Sequence, residues 1–146
     1  MKVGRYEIVS SLGQGGMATV FRAYDPNIGR DVAIKLMNVV VEKDRKTARK
    51  RFLQEVKTIG DLHHTHIIQI YDAEFDGDQP YLVMPLMQGS VADWIQSGAL
   101  SRERIATILD EVAGALEAVH GKGIVHRDLK PGNVLYDEAG HTYLAD

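Results

Sequence analysis

The chain has 146 residues, 45% hydrophobic and 25% charged, with a net charge of −3. That is the balance of an ordinary soluble globular domain rather than a disordered one, and nothing in it suggests nucleic acid or a membrane surface as a partner. There is no cysteine, so a disulfide framework, a zinc–thiolate site and a cysteine nucleophile are excluded, and a reducing cytoplasm is the expected compartment.

Neither a signal-peptide apolar run nor a stretch of about 18 apolar residues occurs, so no membrane segment is expected in this chain. Residues 5–12, 18–24 and 31–37 are short runs rich in Val, Ile, Tyr and Phe. They are separated by Gly13, Gly15 and Gly16, then by Pro26, Asn27 and Gly29, and this punctuation predicts three antiparallel strands. Over 44–62, Phe52, Val56, Ile59 and Leu62 recur at spacings of three and four on a charged background, the pattern of one amphipathic helix. Residues 67–73 and 80–86 predict two more strands around Asp76-Gly77-Asp78. After a connector near 85–89 the pattern turns helical, with a short piece at 90–96 and a long helix over 102–120. Ser101 is placed to cap that helix, Gly121 to stop it, and Ile105, Ile108, Leu109, Val112, Leu116 and Val119 share one face. Short extended segments follow at 133–136 and 142–145. The expected fold is α+β: a five-stranded antiparallel lobe with one helix over 4–86 and the start of a helical lobe over 87–146, with a ligand crevice between them.

Three motifs carry chemistry. Gly13-Gln14-Gly15-Gly16-Met17-Ala18-Thr19-Val20 lies between two predicted strands, and glycines there let backbone N–H groups approach a phosphate closely. Taken alone, such a loop is more often just a hairpin. A dinucleotide fold would need a helix after the glycines, and a Walker loop would need Gly-Lys-Ser/Thr at its end; neither is present. Lys35, in Val32-Ala33-Ile34-Lys35, is by default a snorkelling strand residue. It becomes functional if a carboxylate holds its ammonium toward phosphates, and Glu55, beside Phe52, Val56 and Ile59, is placed to face the sheet. The sharpest signal is His126-Arg127-Asp128-Leu129-Lys130-Pro131-Gly132-Asn133 after the long helix, followed thirteen residues on by Asp146. Asp128 can accept a hydroxyl proton, Lys130 can neutralise charge on a transferring phosphoryl group, and Asn133 and Asp146 offer the oxygen ligands that Mg²⁺ prefers. Solvated loop charges are the alternative, and eight such residues in this order argue against it.

With these motifs the chain resembles the eukaryotic-type (Hanks-type) serine/threonine protein kinases, and their bacterial branch in the reading of its glycine loop. The resemblance runs from about Tyr6 to the last residue and covers only the N-terminal part of a kinase domain. It implies transfer of the γ-phosphate of ATP, with Mg²⁺, to a serine or threonine of a protein substrate; nucleic acid is not an implied partner. By this resemblance Leu12, Gly13, Gln14, Gly15, Gly16 and Ala18 would contact the nucleotide, and Val20, Ala33 and Leu135 would sandwich adenine. Met84 would stand behind it as gatekeeper, Pro85 would present a carbonyl, and Met87 would present an N–H. Lys130 resembles the serine/threonine class. Leu62-His63-His64-Thr65-His66-Ile67-Ile68 resembles the family's connector between helix and strand more than a metal site. The basic run Lys43 to Arg51 is expected to be a solvated helix face, with a phosphorylated loop, suggested by Arg127, as its lesser reading.

A kinase domain continues past Asp146 with Phe-Gly, an activation segment and an Ala-Pro-Glu signature. The chain alone is therefore expected to be inactive, and to self-associate or be unstable through the uncovered face of the helix over 102–120. The alternative is a non-catalytic nucleotide-binding or regulatory remnant of a kinase.

Overall fold

The computed structural model describes residues 1–38, 45–126 and 128–145. They form two compact units, Met1–Asp61 with Gln69–Leu86, and Leu62–Ile68 with Met87–Asp146.

The first unit is built on an antiparallel sheet of six strands in the order β1-β2-β3-β4-β6-β5. The strands are β1 (Lys2–Val3), β2 (Tyr6–Gln14), β3 (Ala18–Asp25), β4 (Arg30–Met37), β5 (Asp72–Asp76) and β6 (Gln79–Pro85). The expected count of five omitted β1, whose two residues are too short to show an alternation. It is held by position instead: Val3 is buried, and Gly4 turns the chain at φ +55°, where a Cβ would collide with the Tyr81 hydroxyl. The strand expected at 67–73 lies at 72–76. Ile67 and Ile68 are extended, but their partner is Leu144 in the second unit, through a parallel bridge at Ile67 and a 3.0 Å bond from Ile68 N–H. A β-branched run marks extended backbone without saying which strand it joins.

One face of this sheet carries the core, where Ala23, Val32, Ile34, Tyr81 and Val83 are buried together with Val3 and Tyr6. The helix α1 (Arg45–Gly60) touches β5 through Phe52, whose ring stands edge-on to Phe75 at 5.4 Å, with the Arg49 guanidinium 4.1 Å over the same Phe75 ring. Lys43 and Asp44 lie outside the described residues.

The second unit contains β7 (Gly89–Ser90), α2 (Val91–Ser97), α3 (Arg102–Gly121), a 3₁₀ turn (Pro131–Asn133), β8 (Val134–Tyr136) and β9 (Thr142–Leu144). The last strands form a three-stranded sheet with β7. Ser101 caps α3 as expected, its hydroxyl accepting from Arg104 N–H at 3.1 Å. The buried stripe of α3 is narrower than the sequence pattern: Ile108, Ala115 and Val119 are buried, Val112 and Leu116 pack beside them, and Ile105 and Leu109 stay 42% and 63% exposed. The chain reverses at Gly123, with φ +75°, and not at Gly121, which ends the helix itself. Trp94 stacks on Tyr136 at 4.1 Å, and the Arg104 guanidinium lies 4.8 Å over the Trp94 ring, so α2, α3 and β8 share one aromatic contact. Among the described residues no helix is long and apolar enough to cross a membrane.

The sheet's polar seam sits beside β1. The Asp25 side chain, 3% exposed, accepts from Arg5 Nε at 3.4 Å and from Asn27 N–H at 3.0 Å. Arg5 also reaches Asp72 at 3.7 Å. Burial alone would raise the Asp25 carboxyl, but the bonds from Arg5 and from the Asn27 and Ile28 amides outweigh it and leave it below the usual range. Burial pushes the nearby Tyr6 phenol up to about 12.

A carboxyl whose folded value is depressed stabilises the fold above its unfolded value, near 4, and that contribution disappears as pH falls through the lowered value. Asp25→Asn is therefore expected to destabilise the protein by about 1–3 kcal/mol at neutral pH, with the difference from wild type shrinking below about pH 4. Urea melts across pH 2.5–7 measure both.

Candidate functional site

Strand register gathers the first unit's candidate residues. Residues directly paired across antiparallel strands project to the same face, and neighbours along a strand alternate. Val20 pairs with Lys35, Lys35 with Leu82, and Ala33 with Met84, so Val20, Ala33, Lys35 and Met84 occupy the sheet face opposite the core residues Val32 and Ile34. Phe75 pairs with Pro80, two steps from Leu82, so α1 leans on this same face. Ala33 and Met84 are buried, Val20 and Lys35 half-buried, and Pro85 pairs with Val32 at the end of β6.

The glycine loop joins β2 to β3. Gly13 and Gln14 still pair with Val20 and Thr19, and the turn closes with Gly15 N–H on Ala18 O at 2.8 Å. Leu12, Gly13, Gln14, Gly15 and Gly16 are exposed, while Ala18 is buried. A Cβ added at Gly13 or Gly16 would meet no protein atom within 4 Å, and at Gly15 only Ala18 O at 3.7 Å. None of the three has positive φ. Neither crowding nor backbone strain inside the protein requires glycine here, and the space above the backbone is open. A residue that motif reading missed holds this loop: Asn38 donates from Nδ2 to Gly16 O at 2.8 Å and from N–H to Met17 O at 2.8 Å. Its only sequence signal is its place just after β4.

Glu55 lies one turn beyond Phe52 on α1. It is exposed and lines a shallow hollow of about 310 Å³ with Thr47, Lys50, Arg51, Gln54 and Thr58. The expected pairing of Glu55 with Lys35 is not among the ion pairs found between described residues.

In the second unit the catalytic-loop candidates converge on Asn133. Pro131 opens the 3₁₀ turn that carries it, and Asn133 is buried. Its Nδ2 donates to the Asp128 carbonyl at 2.8 Å and to Asp128 Oδ2 at 3.1 Å. Because the NH₂ is used twice, Oδ1 is the atom Asn133 has for a cation, as an oxygen-ligand site for Mg²⁺ requires. Lys130 Nζ lies 3.5 Å from Asp128 Oδ2, both side chains being more than half exposed at 58% and 63%. Asp128 and Lys130 can thus meet a substrate from solvent, while Asn133 fixes the loop from beneath.

His126 locks the same region. Its Nε2 donates to Ala145 O at 2.8 Å and its Nδ1 accepts from Asp128 N–H at 3.2 Å, so the neutral Nε2–H tautomer satisfies both partners. Ala145 N–H in turn donates to Asn133 O at 2.8 Å. The β8–β9 turn is closed by Asp137, which accepts from His141 N–H at 2.9 Å and from the Tyr143 hydroxyl at 2.8 Å; that bond, with burial, raises the Tyr143 phenol. Leu135 is half-buried in β8, paired with Ser90 and Tyr143, and Met87 is half-buried just before β7. Arg127 and Asp146 lie outside the described residues. Of the three histidines near 63–66, His64 accepts from His66 N–H at 3.0 Å. Among the described residues no three His, Cys, Asp or Glu side chains are grouped to hold a metal ion.

Comparison with known proteins gives the family. The protein kinase domain family matches residues 6–146. The serine/threonine-protein kinase PksC of Streptomyces coelicolor is 38% identical over 153 residues, which span 98% of this chain and 27% of that protein. The DNA damage-responsive serine/threonine-protein kinase RqkA of Deinococcus radiodurans is 40% identical over 151 residues, spanning 98% of this chain and 22% of that one. The chain thus spans about a quarter of the length of these curated relatives. The crystal structure of the Mycobacterium tuberculosis PknI kinase domain has a TM-score of 0.81 and 27% identity, covering 100% of this chain and 60% of that one. A match over nearly its whole length, to the family and to bacterial serine/threonine-protein kinases alike, means that this chain belongs to the protein kinase domain family.

Proposed function

We propose that the chain carries the nucleotide-binding and catalytic-loop parts of a serine/threonine protein kinase that transfers the γ-phosphate of ATP to a protein hydroxyl. The observation that carries this reading is the Asn133–Asp128–Lys130 arrangement. A carboxylate is held by a buried amide, with an ammonium beside it and solvent in front. A module that only binds nucleotide has no use for such a base, which weighs against the non-catalytic alternative.

In this reading Gly13, Gln14, Gly15, Gly16 and Ala18 leave room for the phosphates, and Leu12, Val20, Ala33, Met84 and Leu135 provide apolar surface for the base. The Pro85 carbonyl and Met87 N–H meet its polar edge. Lys35 orients the phosphates and pairs with Glu55 when α1 is seated for catalysis. Asn133 Oδ1 and Asp146 would hold Mg²⁺, which when bound neutralises charge on the phosphates. Asp128 receives the proton as the substrate hydroxyl attacks, and Lys130 offsets negative charge on the phosphoryl group in flight. The serine/threonine preference rests on Lys130 and on the names of the relatives.

Assaying transfer of labelled γ-phosphate to a basic protein tests the proposal. Asp128→Asn is expected to lower the rate by about 10²–10⁴-fold, the usual worth of a general base, while Mg²⁺-dependent ATP binding persists. Equal transfer by wild type and variant would overturn the assignment.

A second substitution probes the loop without any substrate. Asn133→Asp places a carboxylate against the Asp128 carbonyl and carboxylate now bonded at 2.8 and 3.1 Å. Losing both donors is expected to cost about 1–3 kcal/mol and to be partly relieved below about pH 4 as carboxylates protonate. Thermal melts at pH 7 and pH 3.5 check the direction.

A further inference from the structure

We propose that Glu111, in the middle of α3, is a positioning residue for the end of β9 and hence for the metal ligand proposed at position 146; this rests on the kinase reading above. Both donors of Thr142 converge on one oxygen. Its N–H reaches Glu111 Oε2 at 3.1 Å, and its hydroxyl makes a shorter bond to the same atom. Thr142 is 1% exposed and the Glu111 side chain 13%, so the carboxylate is withdrawn from water for this contact.

His66 completes the clamp. Its Nδ1 donates to Thr142 O at 2.8 Å and lies 3.9 Å from Glu111 Oε2, while its own carbonyl accepts from Leu144 N–H at 2.7 Å. The edge of β9 turned away from β8 is therefore closed by one helix side chain and the segment 66–68. On the other edge, Ala145 N–H meets Asn133 O. A strand slip of one residue turns every following side chain to the opposite face. The clamp forbids that slip three residues before Ala145, whose carbonyl is the partner of His126. The same helix thus sets where the chain stands at Ala145, the last described residue.

The test compares Glu111→Ala, Glu111→Gln and Thr142→Val in the polypeptide as encoded, with two readouts: amide hydrogen exchange without nucleotide, and the Mg²⁺ dependence of ATP binding. Glu111→Ala is expected to speed exchange at Thr142, Leu144 and Ala145 by about tenfold, the factor of one lost hydrogen bond, with Val32 and Ile34 unchanged. It is also expected to weaken the Mg²⁺-dependent part of ATP affinity by a similar factor, leaving Mg²⁺-free affinity as in wild type. Glu111→Gln keeps a carbonyl that can accept both Thr142 donors and should restore most of both. Should Glu111→Ala fail to fold, Thr142→Val alone decides, with a smaller change in the same two quantities. Unchanged exchange at Ala145, or faster exchange with unchanged Mg²⁺ dependence, overturns the positioning role and leaves the kinase reading intact. Absence of Mg²⁺-dependent ATP binding in the unsubstituted protein would sink the kinase reading, and this inference with it.

Discussion

The carboxamide of Asn133 has two hydrogens, and Asp128 takes both, at its carbonyl and at its carboxylate. The backbone carbonyl of the same buried residue takes Ala145 N–H. One residue therefore ties the proposed base to the end of β9, while its own amide oxygen stays as the donor for a cation. Such bonds stabilise by only about 1 kcal/mol each, but leaving a buried partner unmatched costs more. The loop holds its shape because few other conformations match every polar group. That explains why a segment that is neither helix nor strand, with a proline at the head of its 3₁₀ turn, can still present Asp128 in a defined direction.

The first unit reaches the same end through strand periodicity. In Val32-Ala33-Ile34-Lys35, Val32 and Ile34 enter the core at 1% and 0% exposure, and that burial obliges Ala33 and Lys35 to face the other way. This half of the site was legible in the sequence, because a run buried on one side dictates the other side too. The proposed catalytic loop rests on a different signal, eight residues in an order that leaves little room for coincidence. What the sequence did not disclose were contacts made between distant segments. Ile67 and Ile68 look like a strand and are extended, yet their partner is Leu144, far along the chain. Asn38 and Glu111 carry no motif, since a side chain that acts by bonding another segment's backbone leaves no local pattern.

Glu55 shows the same boundary from another side. The spacing of Phe52, Val56 and Ile59 places a helix, but Phe52 and Val56 are only half-buried and Ile59 is 40% exposed. A stripe so lightly covered orients a helix weakly, because burial stabilises in proportion to area. Glu55 sits at the edge of that stripe and faces solvent here. On α3, by contrast, Ile108, Ala115 and Val119 are buried, and Glu111 is carried inward with them to a fixed partner. Two carboxylates of similar sequence context thus end in different places because one helix face is buried more completely than the other.

The glycine loop gives the remaining step. Each glycine in an ordered segment costs roughly 0.5–1 kcal/mol relative to alanine through lost backbone freedom. Where the backbone is left-handed, as at Gly4, or where a side chain would strike a neighbour, the fold itself returns that cost. At Gly13 and Gly16 it returns nothing, since a Cβ would meet no atom of the protein and φ is not positive. Asn38 nevertheless grips Gly15 and Gly16 by their carbonyls, directing the order of the loop toward a shape the protein's own packing does not need. Order maintained without internal return suits the phosphate chain proposed for this loop, which would come closer to the backbone than a methyl group would permit.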